Sequence, residues 1–154
     1  GMSSLQLAVE KNHFELVSLL LDRGADISHK DLEGWDAVHI SAQWGSIESL
    51  RVLRDRGADV SERIELCKST PLHIAARSGQ MDVMKFLLDT GVDIAEKTTY
   101  GWDALHSAAW AGQLEAARLL LERGASTTTR GNGGDTAISL AASKGYTDVV
   151  LLIV

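Results

Sequence analysis

TPLHIAARSGQMDVMKFLLDTG, residues 70–91, is the stretch whose reading decides the fold. Thr70 is a good helix N-cap, because its hydroxyl can accept a bond from a backbone N–H of the first turn. Pro71 suits the first helical position, where its missing N–H costs nothing. Ala75 and Ala76 follow, and Gly79 ends the helix in the way glycine commonly does. A second helix runs from about Asp82, where Val83, Met84, Phe86, Leu87 and Leu88 give an apolar stripe at helical spacing. Gly91 stops it. The unit is helix, turn, helix, and a polar connector that reaches to the next N-cap at Asp103.

Working outward, the same phrase returns along the chain. Gly24, Gly57, Gly91 and Gly124 recur at steps of 33, 34 and 33, each closing a near-copy of LLLDRGADI. Gly45, Gly79, Gly112 and Gly145 form a second ladder, with Asn12 one period earlier, and His39, His73 and His106 a third. Self-similarity at this period is the mark of a stacked repeat array. Five in-phase copies run roughly over 3–30, 31–64, 65–97, 98–130 and 131–154, the outer two incomplete. Together they make one quasi-one-dimensional domain over 3–154, with Gly1-Met2 as a cloning remnant or a start. Small residues recur at one spot on each first helix (Ala8-Val9, Ser41-Ala42, Ala75-Ala76, Ala108-Ala109, Ala141-Ala142), so neighbouring helices can approach closely.

Thr70-Pro71-Leu72-His73-Ile74-Ala75, at this period, resembles the ankyrin-repeat signature, and the resemblance covers nearly the whole chain. It implies an all-α solenoid of helix–turn–helix units joined by β-hairpin-like finger loops, with a concave groove that binds other proteins. Other copies depart from the signature. Asp36-Ala37-Val38-His39 and Asp103-Ala104-Leu105-His106 place Asp at the cap and Ala where Pro is usual, Thr136-Ala137-Ile138-Ser139 lacks the histidine, and Ser3-Ser4-Leu5-Gln6 lacks both. Asp caps well and Ala is a strong helix former, so the helices stand. An extra residue near Ile64, and Lys68 where a finger glycine is usual, predict an irregular finger between the second and third copies.

The net charge of −6 argues against a nucleic-acid backbone as partner. Cys67 is alone, which excludes an internal disulfide and fits a reducing, intracellular compartment, cytoplasmic in the first instance with the nucleus left open. No stretch is long and apolar enough for membrane insertion. The last copy stops inside its second helix and carries Leu151 where the others have Ser18, Arg51, Lys85 and Arg118. This favours a fragment of a longer chain, or an end covered by another surface, over a frayed terminus.

Asp36/His39 and Asp103/His106 have the spacing of a catalytic pair, but each is the cap and third residue of a helix, and the resemblance gives this histidine a structural role. The histidines recur once per repeat, roughly 10 Å apart, too far for one metal ion. There is no phosphate loop, dinucleotide fingerprint or paired-cysteine motif. No enzymatic activity, cofactor or metal is expected.

The functional signal is aromatic. Trp35 and Trp102 follow a finger glycine, Trp44 and Trp110 close the first helices of the same two copies, and Tyr100 sits two residues before Trp102. None falls on the apolar stripes that build the core, and Trp and Tyr dominate binding energies at interfaces. The bland alternative is that the indoles cover finger bases or fill gaps between helices. A basic row, Lys30, Arg63, Lys97 and Arg130, lies at the fingers; Lys11, Arg77 and Lys144 fall at groove-facing helix ends. Acidic residues collect on the second helices. The reading is a protein-interaction module whose groove anchors a protein or peptide, acidic or mixed acidic–aromatic, through Trp35, Trp44, Tyr100, Trp102 and Trp110, with Arg63, Arg77, Lys97 and Arg130 orienting it. Two alternatives stand beside it: a reader of methylated lysine, and a structural or regulatory segment of a larger multidomain protein. About 12 Å of helix between Trp35 and Trp44 favours a strip of anchors over a cage.

Overall fold

The computed structural model describes residues 1–154. Five helix pairs follow one another: α1 (Ser4–Glu10) with α2 (Phe14–Asp22), α3 (Ala37–Trp44) with α4 (Ile47–Asp55), α5 (Pro71–Ser78) with α6 (Met81–Asp89), α7 (Ala104–Trp110) with α8 (Leu114–Glu122), and α9 (Ala137–Lys144) with α10 (Thr147–Ile153). There are no strands, and no helix is long and apolar enough to cross a membrane.

The first helices stack as an inner row, α1 on α3 on α5 on α7 on α9, and the second helices as an outer row. Ala42, Ala76 and Ala109 are completely buried in the inner row, which is why only small side chains stand there. Leu50, Leu53, Met84, Leu87 and Leu120 fill the space between rows. Burying each such leucine stabilises the fold by about 1.5–3 kcal/mol.

Each first helix opens on the cap read from the sequence. The side chain at the cap accepts a bond from the backbone N–H of the third helical residue at Ser3, Asp36, Asp103 and Thr136. The third residue then reaches sideways into the next copy. Gln6 Nε2 donates to the Trp35 carbonyl at 2.7 Å and His73 Nε2 to the Trp102 carbonyl at 3.0 Å. His106 Nε2 lies 3.4 Å from the Asp135 carbonyl. His39 Nε2 instead meets the Glu62 carbonyl at 3.0 Å. Both ring nitrogens of all three helix-start histidines are therefore engaged within the array.

The exception at His39 comes from the finger that opens the third copy. The other fingers close by a bond across five residues: Asp31 N–H to Trp35 O, Thr98 N–H to Trp102 O and Gly131 N–H to Asp135 O, at 2.8–2.9 Å. The finger of the third copy closes from Ile64 to Ser69, one residue longer. It buries Ile64 and drives Lys68 to φ +55°, a left-handed conformation unusual for a residue with a Cβ. Lys68→Gly should therefore raise stability by about 0.5–1 kcal/mol. Urea denaturation reads it: an unchanged or lower midpoint would mean that the Lys68 side chain offsets the strain.

Candidate interaction surface

Trp102 immediately precedes α7 and its N-cap Asp103. Its position is fixed from three directions. The Trp102 carbonyl accepts from Thr98 N–H at 2.9 Å and from His73 Nε2, and the indole N–H donates to the Asp135 carboxylate of the following finger. The ring stacks on His106, with centroids 6.3 Å apart and planes 16° from parallel. That following finger closes over its neighbour: Asn132 N–H donates to the Tyr100 carbonyl at 2.8 Å and Asn132 Nδ2 to the Thr99 carbonyl at 2.9 Å. Gly131 is required by this close approach, since a Cβ there would stand 2.9 Å from the Trp102 ring and 2.6 Å from the Asp135 carboxylate.

Tyr100 and Trp110 complete a contiguous platform around Trp102. Tyr100 lies 5.8 Å and Trp110 5.5 Å from it between ring centroids, both tilted by 45–49°. The eight residues from Trp102 to Trp110 span about 12 Å of helix axis, yet the rings touch. Helical side chains lean toward the N-terminus of their helix, so Trp110 reaches back toward Trp102. Tyr100 remains 66% and Trp110 39% exposed, aromatic area that folding does not use. Lys144, at the end of α9, places its ammonium 3.7 Å from the centroid of the Trp110 ring.

The other two tryptophans are arranged differently. Trp35 is half-buried and packs against the hydrophobic core, tilted on His39 at 6.2 Å, contrary to the expectation that no tryptophan joins the core. The cause lies in the next finger. Where Trp102 faces Gly131 and the Asp135 carboxylate, the finger beside Trp35 begins with the buried, apolar Ile64, which lies against Gly34. The exposed edge of Trp35 lines a depression of about 380 Å³ with Met2, Leu32 and Ile40. Trp44 is 58% exposed and makes no aromatic contact. It precedes its turn glycine by one residue and Trp110 by two, a difference of about 100° around the helix. The four indoles are thus a pair in one platform, one ring packed against the core and one isolated ring, where a repeating strip was expected.

The basic row at the fingers is largely engaged inside the array. Lys30 pairs with Glu62 at 2.7 Å, Arg63 with Glu96 at 3.2 Å and with the Lys97 carbonyl, and Arg130 with the Gly134 carbonyl. Lys97 and Arg77 are exposed, and their side chains form no ion pair. Burial raises the Asp103 carboxyl, but bonds from the His106 ring and backbone N–H outweigh it and hold the group below the usual carboxylate range. The Asp103–His106 pair is a satisfied cap at the floor of the platform. The outer face carries a polar groove of about 460 Å³ between α4 and α6, where Arg51 and Arg54 lie 5.1 and 5.0 Å from the Phe86 ring centroid. This pairing joins side chains of two successive copies.

A family model described as ankyrin repeats (3 copies) matches residues 1–64 and 61–131. Protein phosphatase 1 regulatory subunit 12A of Mus musculus is 37% identical over 51 residues, and so is its counterpart in Rattus norvegicus. In each case the match takes in 33% of this chain and 5% of the relative's length.

Proposed function

The chain belongs to the ankyrin-repeat family, and from that premise we propose that it is a non-catalytic module that binds a partner protein on its concave side, with the Tyr100–Trp102–Trp110 platform as the principal anchor. The observation that carries this reading is the platform itself. Tyr100 and Trp110 offer exposed aromatic area around Trp102, which hydrogen bonds hold in place, and Trp and Tyr that bind without reordering give the largest contributions at interfaces. Trp44 and the exposed edge of Trp35 flank it along the groove. Arg77 and Lys97 supply orienting charge, while Arg63 and Arg130 act mainly by holding fingers together. A partner segment with acidic and aromatic side chains suits this surface.

The similarity to a phosphatase regulatory subunit agrees with a role in holding a partner. It covers so little of that protein that its own partners are not carried over. Contact between Trp102 and Trp110 counts against the methyl-lysine reading, since a tight cage sets its rings on several sides of one cation and these two rings lie against each other.

Affinity capture with the wild-type domain, quantified against Trp102→Ala, Trp110→Ala and Trp35→Ala, tests the proposal. Partners retained by wild type should bind the Trp102 and Trp110 variants more weakly by about 2 kcal/mol, the usual hot-spot threshold. Trp35→Ala should chiefly lower thermal stability. Equal retention by folded Trp102→Ala and Trp110→Ala would remove the platform from the interface.

A further inference from the structure

We propose that the platform is the centre of a site for an acidic peptide segment, which lays an aromatic or large aliphatic side chain on Trp110 and pairs a carboxylate on either side of it, with Arg77 and with Lys144. This rests on the interaction reading above and adds the chemistry of the partner.

The repeat register places the cations. Gln43, Arg77, Trp110 and Ser143 each precede their turn glycine by two residues, so they form one row along the groove. Arg77 is therefore one step from Trp110, roughly one helix spacing of 10 Å. Gln113 Nε2 donates to the Arg77 carbonyl at 3.2 Å and ties the two copies together at this point. Lys144 approaches from the opposite side and rests on the Trp110 ring itself. Aromatic surface is thus flanked along the groove by two positive charges.

Neither charge is neutralised by the fold. Arg54, Arg56, Arg63, Arg118 and Arg123 all pair with carboxylates of this chain, whereas Arg77 and Lys144 pair with none. The molecule as a whole is acidic, with a net charge of −6, and Glu48, Asp82 and Asp89 mark the outer face. Two unpaired cations beside an open aromatic surface, on a negatively charged body, steer an acidic segment to that surface and orient it there.

Lys144 also explains how the free protein and the complex differ. An exposed ammonium on an indole face is weakly held. A carboxylate can draw the ammonium off the ring and leave the face to an apolar side chain of the same peptide. An extended peptide advances about 3.3 Å per residue, so the step from Arg77 to Trp110 takes about three residues. The segment therefore reads acid, two spacers, aromatic or large aliphatic residue, then a second acid within one or two residues.

Selection of a displayed random library of about twelve-residue peptides on the immobilised 154-residue domain at low salt tests this. Enriched peptides should carry Asp or Glu at that spacing around an aromatic or large aliphatic residue. Chemically synthesised winners should bind Arg77→Gln and Lys144→Gln, both with wild-type circular dichroism, roughly tenfold more weakly, and should weaken with salt. The proposal is overturned if nothing is enriched, if enriched peptides show no excess of acids, or if they bind both variants as tightly as wild type. Peptides that need Trp102 and Trp110 but neither cation would overturn this inference while upholding the platform. Peptides that need none of the four residues would overturn both.

Discussion

His73→Ala should lower the free energy of unfolding by about 3 kcal/mol, while His73→Gln should cost less than about 1 kcal/mol. His73 is buried and uses both ring nitrogens. Nδ1 accepts from the Thr70 hydroxyl at 2.8 Å and Thr70 N–H at 3.2 Å, and Nε2 donates to the Trp102 carbonyl. Alanine strands the Thr70 hydroxyl and N–H, at about 1–3 kcal/mol for each buried polar group left unpaired, and removes one of the two bonds to the Trp102 carbonyl. Glutamine has a precedent in the chain. At the equivalent position of the first copy, Gln6 Oε1 accepts from Ser3 N–H at 2.8 Å, and Gln6 Nε2 donates to the Trp35 carbonyl.

The same pair of variants reads out a pH dependence. Burial pushes the His73 imidazole below its ordinary value of 6.5, with the bond to the Trp102 carbonyl opposing it only in part. The unfolded chain therefore binds more protons than the folded one as pH falls below about 6.5, and stability declines with it. Asp103 acts in the same sense but lower down, because its contribution is lost only as pH falls below its ordinary 3.8. His73→Gln should flatten the decline between about pH 6.5 and 5 and leave the more acidic loss in place. Urea titrations at several pH values check this; parallel curves for wild type and His73→Gln would show that His73 is not the group responsible.

This ladder of sideways bonds is also where the sequence was most legible. Caps, turn glycines and small residues recur in phase, so the first and second helices of every copy can be placed from one well-marked stretch, residues 70–91. The irregular finger between the second and third copies was equally visible, as one extra residue and a lysine at a glycine position. The site was less legible, because what distinguishes its residues is not local. Gly34-Trp35-Asp36 and Gly101-Trp102-Asp103 read alike, and both indoles are half-buried, yet one packs against the core and the other bonds a carboxylate. The difference lies about 30 residues away, in Ile64 against Gly131 and Asp135. Contact between Trp102 and Trp110 depends on side-chain direction, which spacing along the axis does not convey. The engagement of Lys30 and Arg63 did leave a trace, since Glu62 and Glu96 stand about one period after them, offering each cation a partner in the next finger.

Gly112→Ala should cost about 3 kcal/mol and Gly145→Ala only about 1 kcal/mol, although the two glycines occupy the same turn in successive copies. Both have positive φ, +69° and +78°, where an L side chain costs about 1–2 kcal/mol. Around Gly145 a Cβ would meet nothing within 4 Å, so backbone strain is the whole effect. At Gly112 it would fall 2.7–2.8 Å from three atoms of the Tyr146 ring. Tyr146 is half-buried, packs against the core and stands at the N-cap of α10. A rigid ring cannot fold away as a glutamine amide could, so α10 must shift against α8 and α9, and overpacking of this kind costs about 1–3 kcal/mol more. The turn follows Trp110 and abuts Tyr146, which stands two residues after Lys144. Displacing α10 through Tyr146 should therefore disturb the Lys144–Trp110 contact and change the indole emission of the folded protein, an effect not expected of Gly145→Ala. Equilibrium unfolding followed by tryptophan fluorescence measures both quantities in one titration. Equal losses for the two variants, with unchanged native emission, would mean that Tyr146 yields without moving the last helix pair, and that the platform is insensitive to how its neighbour is stacked.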